Sequence, residues 1–210
     1  MMTTDARRDA PSFHRNIVPI SEVLKATLPA GPGDVLEVGS GSGQHIVAFA
    51  KQFPQLTWWP TEFARENIAS IDAWRTTEAT TNVQPAISLD ASKLDWELGT
   101  NDRPPTALDA IFSANVIHIS PWSVCAGIIQ GAGRHLKSGG SLLFYGPFFR
   151  AEYETAPTNT AFDQDLRSRD PNWGIRHLDE LNQLAQQSGL ADPIITEMPA
   201  NNLILNFVRE

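Results

Sequence analysis

The stretch Val35 to His45, VLEVGSGSGQH, limits what this chain can fold into more than any other part of it. Val35, Leu36 and Val38 are apolar and suited to a buried strand. Gly39, Gly41 and Gly43 follow at once. Glycines so placed let a chain reverse sharply and let a ligand lie against bare backbone. A helix opening near Gln44 aims its unpaired N–H groups back at that ligand. Strand, glycine turn and helix in this order predict an α/β domain with a ligand at the turn.

The details of the turn narrow the ligand. A dinucleotide fingerprint needs G-x-G-x-x-G, and counted from Gly39 its last position falls on Gln44. The sequence present is E-x-G-x-G-x-G, with Glu37 two residues before the first glycine. A carboxylate there repels a pyrophosphate. It suits a ligand that carries an ammonium or sulfonium, or one that offers ribose hydroxyls. No G-K-[ST] follows, which disfavours a triphosphate-binding loop. On these residues, LEVGSGSGQH resembles the first motif of the Rossmann-like (class I) S-adenosylmethionine-dependent methyltransferases; an ordinary glycine turn in another α/β domain is the bland alternative. The resemblance implies a seven-stranded, mostly parallel sheet with a C-terminal antiparallel hairpin and helices on both faces. It implies S-adenosyl-L-methionine as cofactor, S-adenosyl-L-homocysteine as product, and Glu37 with Gly39, Ser40, Gly41 and Gly43 at the methionine end.

At 210 residues the chain suits one domain with a single core. Its 16 basic and 24 acidic residues give a net charge of −8, which does not attract nucleic-acid phosphates. Cys125 has no possible disulfide partner within the chain, and its neighbours Val124, Ile128 and Ile129 predict a buried thiol. His14, His45, His118, His135 and His177 show no metal-ligand spacing. No signal peptide is visible, and no apolar run approaches the roughly 20 residues of a membrane span. The expectation is a cytoplasmic protein with a small-molecule substrate, no nucleic acid, no membrane and no metal; the oligomeric state stays open.

Along the chain, residues 1–10 are small, polar and charged and read as disordered, with one domain over residues 11–210. Ile20, Val23, Leu24 and Leu28 recur at helical spacing until Pro29. Arg15 just before this run has three readings: a partner for the cofactor's carboxylate, a partner for an acidic substrate, or a solvated side chain. A helix over 44–53 and a strand Leu56–Glu62 follow. Glu62 stands a little over twenty residues past Gly39, the place of the acid that accepts both ribose hydroxyls, and a helix-capping role competes. VQPAISLDAS reads as a third strand, which Pro85 confines to a sheet edge. In the resembled class an acid at Asp90, beside Ala91, bonds the adenine amino group; a plain loop aspartate is the alternative.

The fourth strand, Leu108 to about Ala114, delivers Asn115 and His118 to the crevice at the strands' carboxyl ends. Asn115 is a cofactor contact by backbone or amide. His118 is the candidate general base, against a purely packing role. Ser120-Pro121 predicts a helix start with serine as cap, and the helix runs to about Lys137. SLLFYG is the fifth strand, and Tyr145 and Phe148 leave its end; Tyr145 is a candidate catalytic residue whose phenol can hydrogen-bond the substrate, Phe148 a candidate substrate contact, and core packing is the alternative for both. Residues 149–176 are polar and aromatic, and read as a binding lid in which Arg167, Asp170, Trp173 and Arg176 shape the substrate pocket. A helix with Leu178, Leu181 and Leu184 and a hairpin of DPIITEM and LILNFVR close the chain.

RNIVPISEVL, LEVGSGSGQH, ANVIHI, LFYGPF, FDQDLRSRDPNWGIR and MPANNL together resemble the DUF938 family, also called the methyltransferase-like protein 26 family, over roughly residues 11–209. Two departures are Thr61-Glu62, where the family often has Ser-Asp, and the N-terminal FHRN. ANVIHI stands where amide-nitrogen and adenine methylases have N-P-P-Y. The resulting expectation is methyl transfer to a small, anionic or aromatic acceptor through oxygen, nitrogen or sulfur. The rivals are a non-catalytic module that binds the same cofactor, another transferase using it, and an NAD-linked oxidoreductase, which Gln44 and Glu37 weaken.

Overall fold

Val35, Leu36 and Val38 sit at the centre of a seven-stranded sheet, buried from both sides. The structure is a computed structural model and describes residues 5–100 and 102–210. Its elements are α1 (Pro11–Thr27), β1 (Gly33–Val38), α2 (Gln44–Gln52), β2 (Leu56–Glu62), α3 (Arg65–Thr77), β3 (Ile87–Ser88), β4 (Leu108–Ala114), α4 (Trp122–His135), β5 (Leu136–Gly146), β6 (Phe148–Phe149), α5 (Pro157–Arg169), β7 (Arg176–His177), α6 (Leu178–Gln187), β8 (Ile194–Met198) and β9 (Asn202–Val208). The sheet order is β3-β2-β1-β4-β5-β9-β8. β1 to β5 pair in parallel, while β9 runs antiparallel to both β5 and β8. The chain is an α/β protein with a mostly parallel sheet closed by an antiparallel hairpin.

Residue alternation sorts the core into two layers. Val35, Phe112, Leu143 and Ile204 face the side covered by α1, α2 and α3, where Ile20, Leu24, Ile46, Phe49 and Ile71 pack. Leu36, Ile111, Leu142, Phe144 and Leu205 face α4 and α6, with Ile128, Leu181 and the buried Cys125. Burial pushes the Cys125 thiol up to about 12, so it behaves as an apolar side chain. Strand order reverses between β1 and β4, so a crevice opens beyond their carboxyl ends.

Four local features differ from the sequence expectations. The third strand shrinks to Ile87–Ser88 at the sheet edge. Pro85 lacks an N–H, and upstream of it pairing is reduced to one bridge, Val83 to Trp58. Ser120 does not cap α4; its hydroxyl donates to Val116 O at 2.9 Å and Pro121 holds the cap position. The 149–176 segment is not an open loop. It contains α5 and a two-residue parallel ladder of β6 with β7. Only Leu166 of α5 is buried, so its helical period is faint; Asp163–Arg167 and Asp165–Arg169 pairs brace it, acid first.

The fourth difference concerns the first ten residues, of which 1–4 lie outside the described residues. Residues 5–10 lie against the body with defined partners. Arg8 N donates to Ser70 Oγ at 2.9 Å, and Trp74 Nε1 donates to Arg8 O at 3.0 Å. Ala10 N donates to Gln44 Oε1 at 2.7 Å. Among the described residues no helix is long and apolar enough to cross a membrane.

Candidate functional site

The glycine turn is built for three different reasons. Gly39 N and Ser40 N both donate to Thr61 O, at 3.0 and 2.9 Å, tying the loop to β2. Gly39, Gly41 and Gly43 all have positive φ, at 74°, 57° and 90°. A Cβ on Gly39 would meet Val116 at 2.5 Å, and one on Gly43 would meet the Ile71 Cα at 2.6 Å. A Cβ on Gly41 would meet nothing within 4 Å, because Gly41 looks into a cleft of about 630 Å³. That cleft is lined by the loop, by Glu62 and Phe63 after β2, by Asp90 and Ala91, and by Asn115 and Ile119 after β4. Gln44, where a dinucleotide fingerprint needs glycine, is a clamp. It accepts from Ala10 N and from Ser42 Oγ, and donates to Asp9 Oδ1 at 2.8 Å.

The acidic residues take distinct positions. Glu62 Oε2 accepts from Gly41 N at 2.9 Å, while Oε1 accepts from Phe63 N and Ala64 N just before α3. Its carboxylate thus joins the loop to a helix start, and the ribose and capping readings meet in one side chain. Glu37 is 2 % exposed and is not part of the cleft lining; its Oε2 has no hydrogen-bond partner. Burial pushes its carboxyl up to about 7, the nearby Ser40 hydroxyl pulls it down in part, and the Glu62 charge adds to the rise. The Ser40 hydroxyl beside it is also buried without a partner. Asp90 Oδ1 accepts from Ser92 N and Ser92 Oγ, a loop-shaping turn. Asn115 has left-handed backbone, φ 58°, and its N–H donates to Tyr145 O at 2.9 Å. Asparagine tolerates that conformation better than most residues. An orphaned carboxyl and hydroxyl beneath an open glycine loop, with carboxylates at the ends of two strands, fit an adenosyl compound carrying an ammonium group.

A second cavity, of about 590 Å³, adjoins the first; Asn115 and Ile119 line both. Its other walls are Ser12, Arg15 and Asn16 of α1, His118, Thr158, Asn159 and Phe162 of α5, and the turn from Pro199 to Asn202. His118 is 3 % exposed and lies edge-on to Phe162 at 5.6 Å between centroids. Its Nδ1 is buried close to Gly146 with no hydrogen-bond partner among the described residues. Burial, with Arg176 adding its charge, holds the imidazole down at about 4, so it is neutral at physiological pH.

The remaining sequence candidates separate. Arg15 lines the second cavity and not the glycine cleft. Trp173 lines the glycine cleft, and Arg169 stands over its ring. Arg176 is buried and structural: Nε donates to Ile117 O at 2.9 Å, and the guanidinium also reaches Ser120 O and Asn172 O. Arg167 pairs with Asp163 near the surface, and Asp170 Oδ1 accepts from Asn172 N. Neither lines either cavity. Tyr145 is 3 % exposed and packs in the core beside Ile204. Burial pushes its phenol up, against the pull of Arg15 and the Asn202 amide. Phe148 is also core and borders a separate small pocket with Arg150 and Tyr153. Sequence reading missed Phe162, Thr158, Asn159 and the Ala200–Asn202 turn, because each lies far in sequence from the motifs it adjoins. The left-handed backbone of Ala200 and Asn201, at φ 59° and 58°, has no sequence signature here.

Sheet order, hairpin and glycine crevice define the Rossmann-like class I methyltransferase fold. Solved structures agree. An O-methyltransferase family protein from Burkholderia thailandensis superposes with a TM-score of 0.77 at 15% identity, covering 95% of this chain and 57% of that one. An O-methyltransferase family 2 protein from Planctomyces limnophilus, solved with apigenin, gives 0.74 at 17% identity, covering 95% and 60%. The S-adenosylmethionine-dependent methyltransferase SibL gives 0.67 at 18%, covering 94% and 57%. This chain spans a little over half the length of these structures. Residues 7–209 match the model of the family described as protein of unknown function DUF938, and the chain belongs to that family.

Proposed function

We propose that the protein is an S-adenosylmethionine-dependent methyltransferase acting on a small molecule, with the glycine cleft as cofactor site and the second cavity as acceptor site. The observation that carries this reading is the shared wall: two cavities of ligand size meet at Asn115 and Ile119, beyond the carboxyl ends of β1 and β4. S-adenosylmethionine, when bound, supplies an electrophilic methyl on a sulfonium leaving group, so the protein's task is mainly alignment. Gly39, Ser40, Gly41 and Gly43 give a close backbone surface, Glu62 offers carboxylate oxygens to ribose hydroxyls, and Asp90 and Ala91 border the adenine end. Glu37, buried behind the loop and protonated up to about pH 7, gives up its proton as the ammonium group binds and then balances that charge. Phe162 and Ile119 give the acceptor site apolar walls. The bound cofactor would give its methyl to the acceptor's lone pair and keep the electrons of the broken C–S bond. The acceptor's proton passes to His118 Nε2. Because that imidazole is held at about 4, it accepts the proton only as bond formation makes the acceptor acidic.

Titration calorimetry with S-adenosylhomocysteine tests the cofactor assignment: saturable one-site heat is expected, and no heat from folded, monodisperse protein overturns it. The low basicity of His118 favours one other reading, a module that binds the cofactor without turnover. Appearance of S-adenosylhomocysteine only when an acceptor is supplied selects the enzyme; none across a broad acceptor panel selects the module.

A further inference from the structure

The protein carries a net charge of −8, yet among the described residues no carboxylate lines the second cavity. The one charged side chain in its lining is Arg15, which forms no ion pair among the described residues. The arginines of the 149–176 segment and its flank are already engaged: Arg150 with Glu197, Arg167 with Asp163, Arg169 with Asp165, and Arg176 with backbone oxygens. Around Arg15 the polar groups are side-chain amides. Asn159 donates to Asn201 O, Asn201 to Thr158 Oγ1, and Asn202 to Pro199 O. Each amide thus uses one N–H on the protein, and its second N–H and its carbonyl oxygen form no hydrogen bond among the described residues. Asn115, Ala200 and Asn201 hold left-handed backbone at this one cavity. Such conformations persist where the surrounding structure enforces them and cluster at ligand sites.

We propose that the second cavity seats a small hydroxylated organic acid, its carboxylate on Arg15, its hydroxyl groups on the amide oxygens, and its methyl-accepting end at the Asn115–His118 wall. The proposal names the substrate class of the acceptor site and rests on the methyltransferase reading for the meaning of that wall. A guanidinium binds a carboxylate through charge-assisted hydrogen bonds that an uncharged amide of the same shape does not form. Phe162 and Ile119 supply the apolar walls for the body of the molecule.

The test uses full-length protein saturated with S-adenosylhomocysteine, titrated with 4-hydroxybenzoate and separately with 4-hydroxybenzamide. The acid is expected to bind roughly tenfold tighter than the amide. Arg15→Gln should erase that difference and Arg15→Lys should restore part of it, with S-adenosylhomocysteine affinity unchanged in both. Asn16→Asp, which puts a carboxylate in the same wall, should weaken the acid and spare the amide; it reports independently if the Arg15 variants do not fold. Equal binding of acid and amide overturns the proposal, as does no binding of either to protein that holds S-adenosylhomocysteine. Loss of S-adenosylhomocysteine affinity in Arg15→Gln also overturns it, by assigning Arg15 to the cofactor's carboxylate. Arg15-dependent binding of the acid in protein that does not bind S-adenosylhomocysteine sustains the anion pocket while the methyltransferase reading falls.

Discussion

On one side of Asn115 lies a cleft of about 630 Å³, on the other a cavity of about 590 Å³, and the two are built by opposite means. The cleft is largely backbone: a left-handed glycine turn, strand ends and the carboxylates that follow them. Its essential parts fall within residues 37–92. The second cavity is side chains from five separated segments, the start of α1, the turn after β4, Pro147 after β5, α5 and the β8–β9 turn. A surface made from main chain reads any ligand with the right shared core, such as an adenosyl group. A surface of side chains on five segments changes with every substitution, which suits the partner that sets specificity.

The sharpest way to probe the contrast lies inside the cleft. Gly43→Ala forces a Cβ against the Ile71 backbone in left-handed conformation, and a stability loss of about 3–5 kcal/mol in urea unfolding is expected. Gly41→Ala adds only the backbone strain, about 1–2 kcal/mol, and instead lowers cofactor affinity by filling the cleft. Equal stability losses would show that packing does not distinguish the two glycines.

Next in size is the pH effect of Glu37. A carboxyl held at about 7 against a usual 4.5 keeps its proton in the folded state. The folded state therefore bears no penalty below about pH 4.5, loses stability as pH rises through 5 and 6, and bears the whole penalty above about pH 7. Glu37→Gln should remove it, becoming more stable than the parent by about 3 kcal/mol at pH 7.5 and no more stable at pH 4.5. His45 and His118, both pushed down to about 4 chiefly by burial, act in the opposite sense in both proteins and cancel in the difference. A pH-independent difference would place the Glu37 titration outside this range.

Glu62→Ala should cost roughly 1–3 kcal/mol of S-adenosylhomocysteine binding by calorimetry, since hydroxyls and Gly41 N both lose an acceptor. Phe162→Ala should do the reverse, taking about 1 kcal/mol from whatever occupies the second cavity and leaving the cofactor untouched. If either variant weakened both ligands alike, the two cavities would be one site. Smallest is Tyr145→Phe, with a stability change within about 0.5 kcal/mol and an unaltered turnover rate once an acceptor is known. A tenfold fall in that rate would return the phenol to the chemistry.

The cleft was legible because its signals are local. Three glycines after an apolar strand and Glu62 at the end of the next strand give most of it, and Pro85 marks the sheet edge. The same locality misled where a side chain had another partner. Ser120 bonds Val116 O, one turn back, instead of capping, and Arg176 holds three backbone oxygens, two of them more than fifty residues away, instead of a substrate. α5 escaped notice because Phe162 and Leu166 are its only large apolar residues, too few for a clear period.

By itself, then, the chain's order of apolar runs, glycines and carboxylates determined a parallel sheet with a ligand cradle at its reversal point, since steric and hydrogen-bonding rules over a few residues suffice for that. Only the tertiary structure decided that Arg15, His118, Phe162 and Asn201 share one cavity. Their approach depends on how α1, α5 and the final hairpin pack on the sheet, and no short-range spacing encodes a contact made across nearly the whole chain.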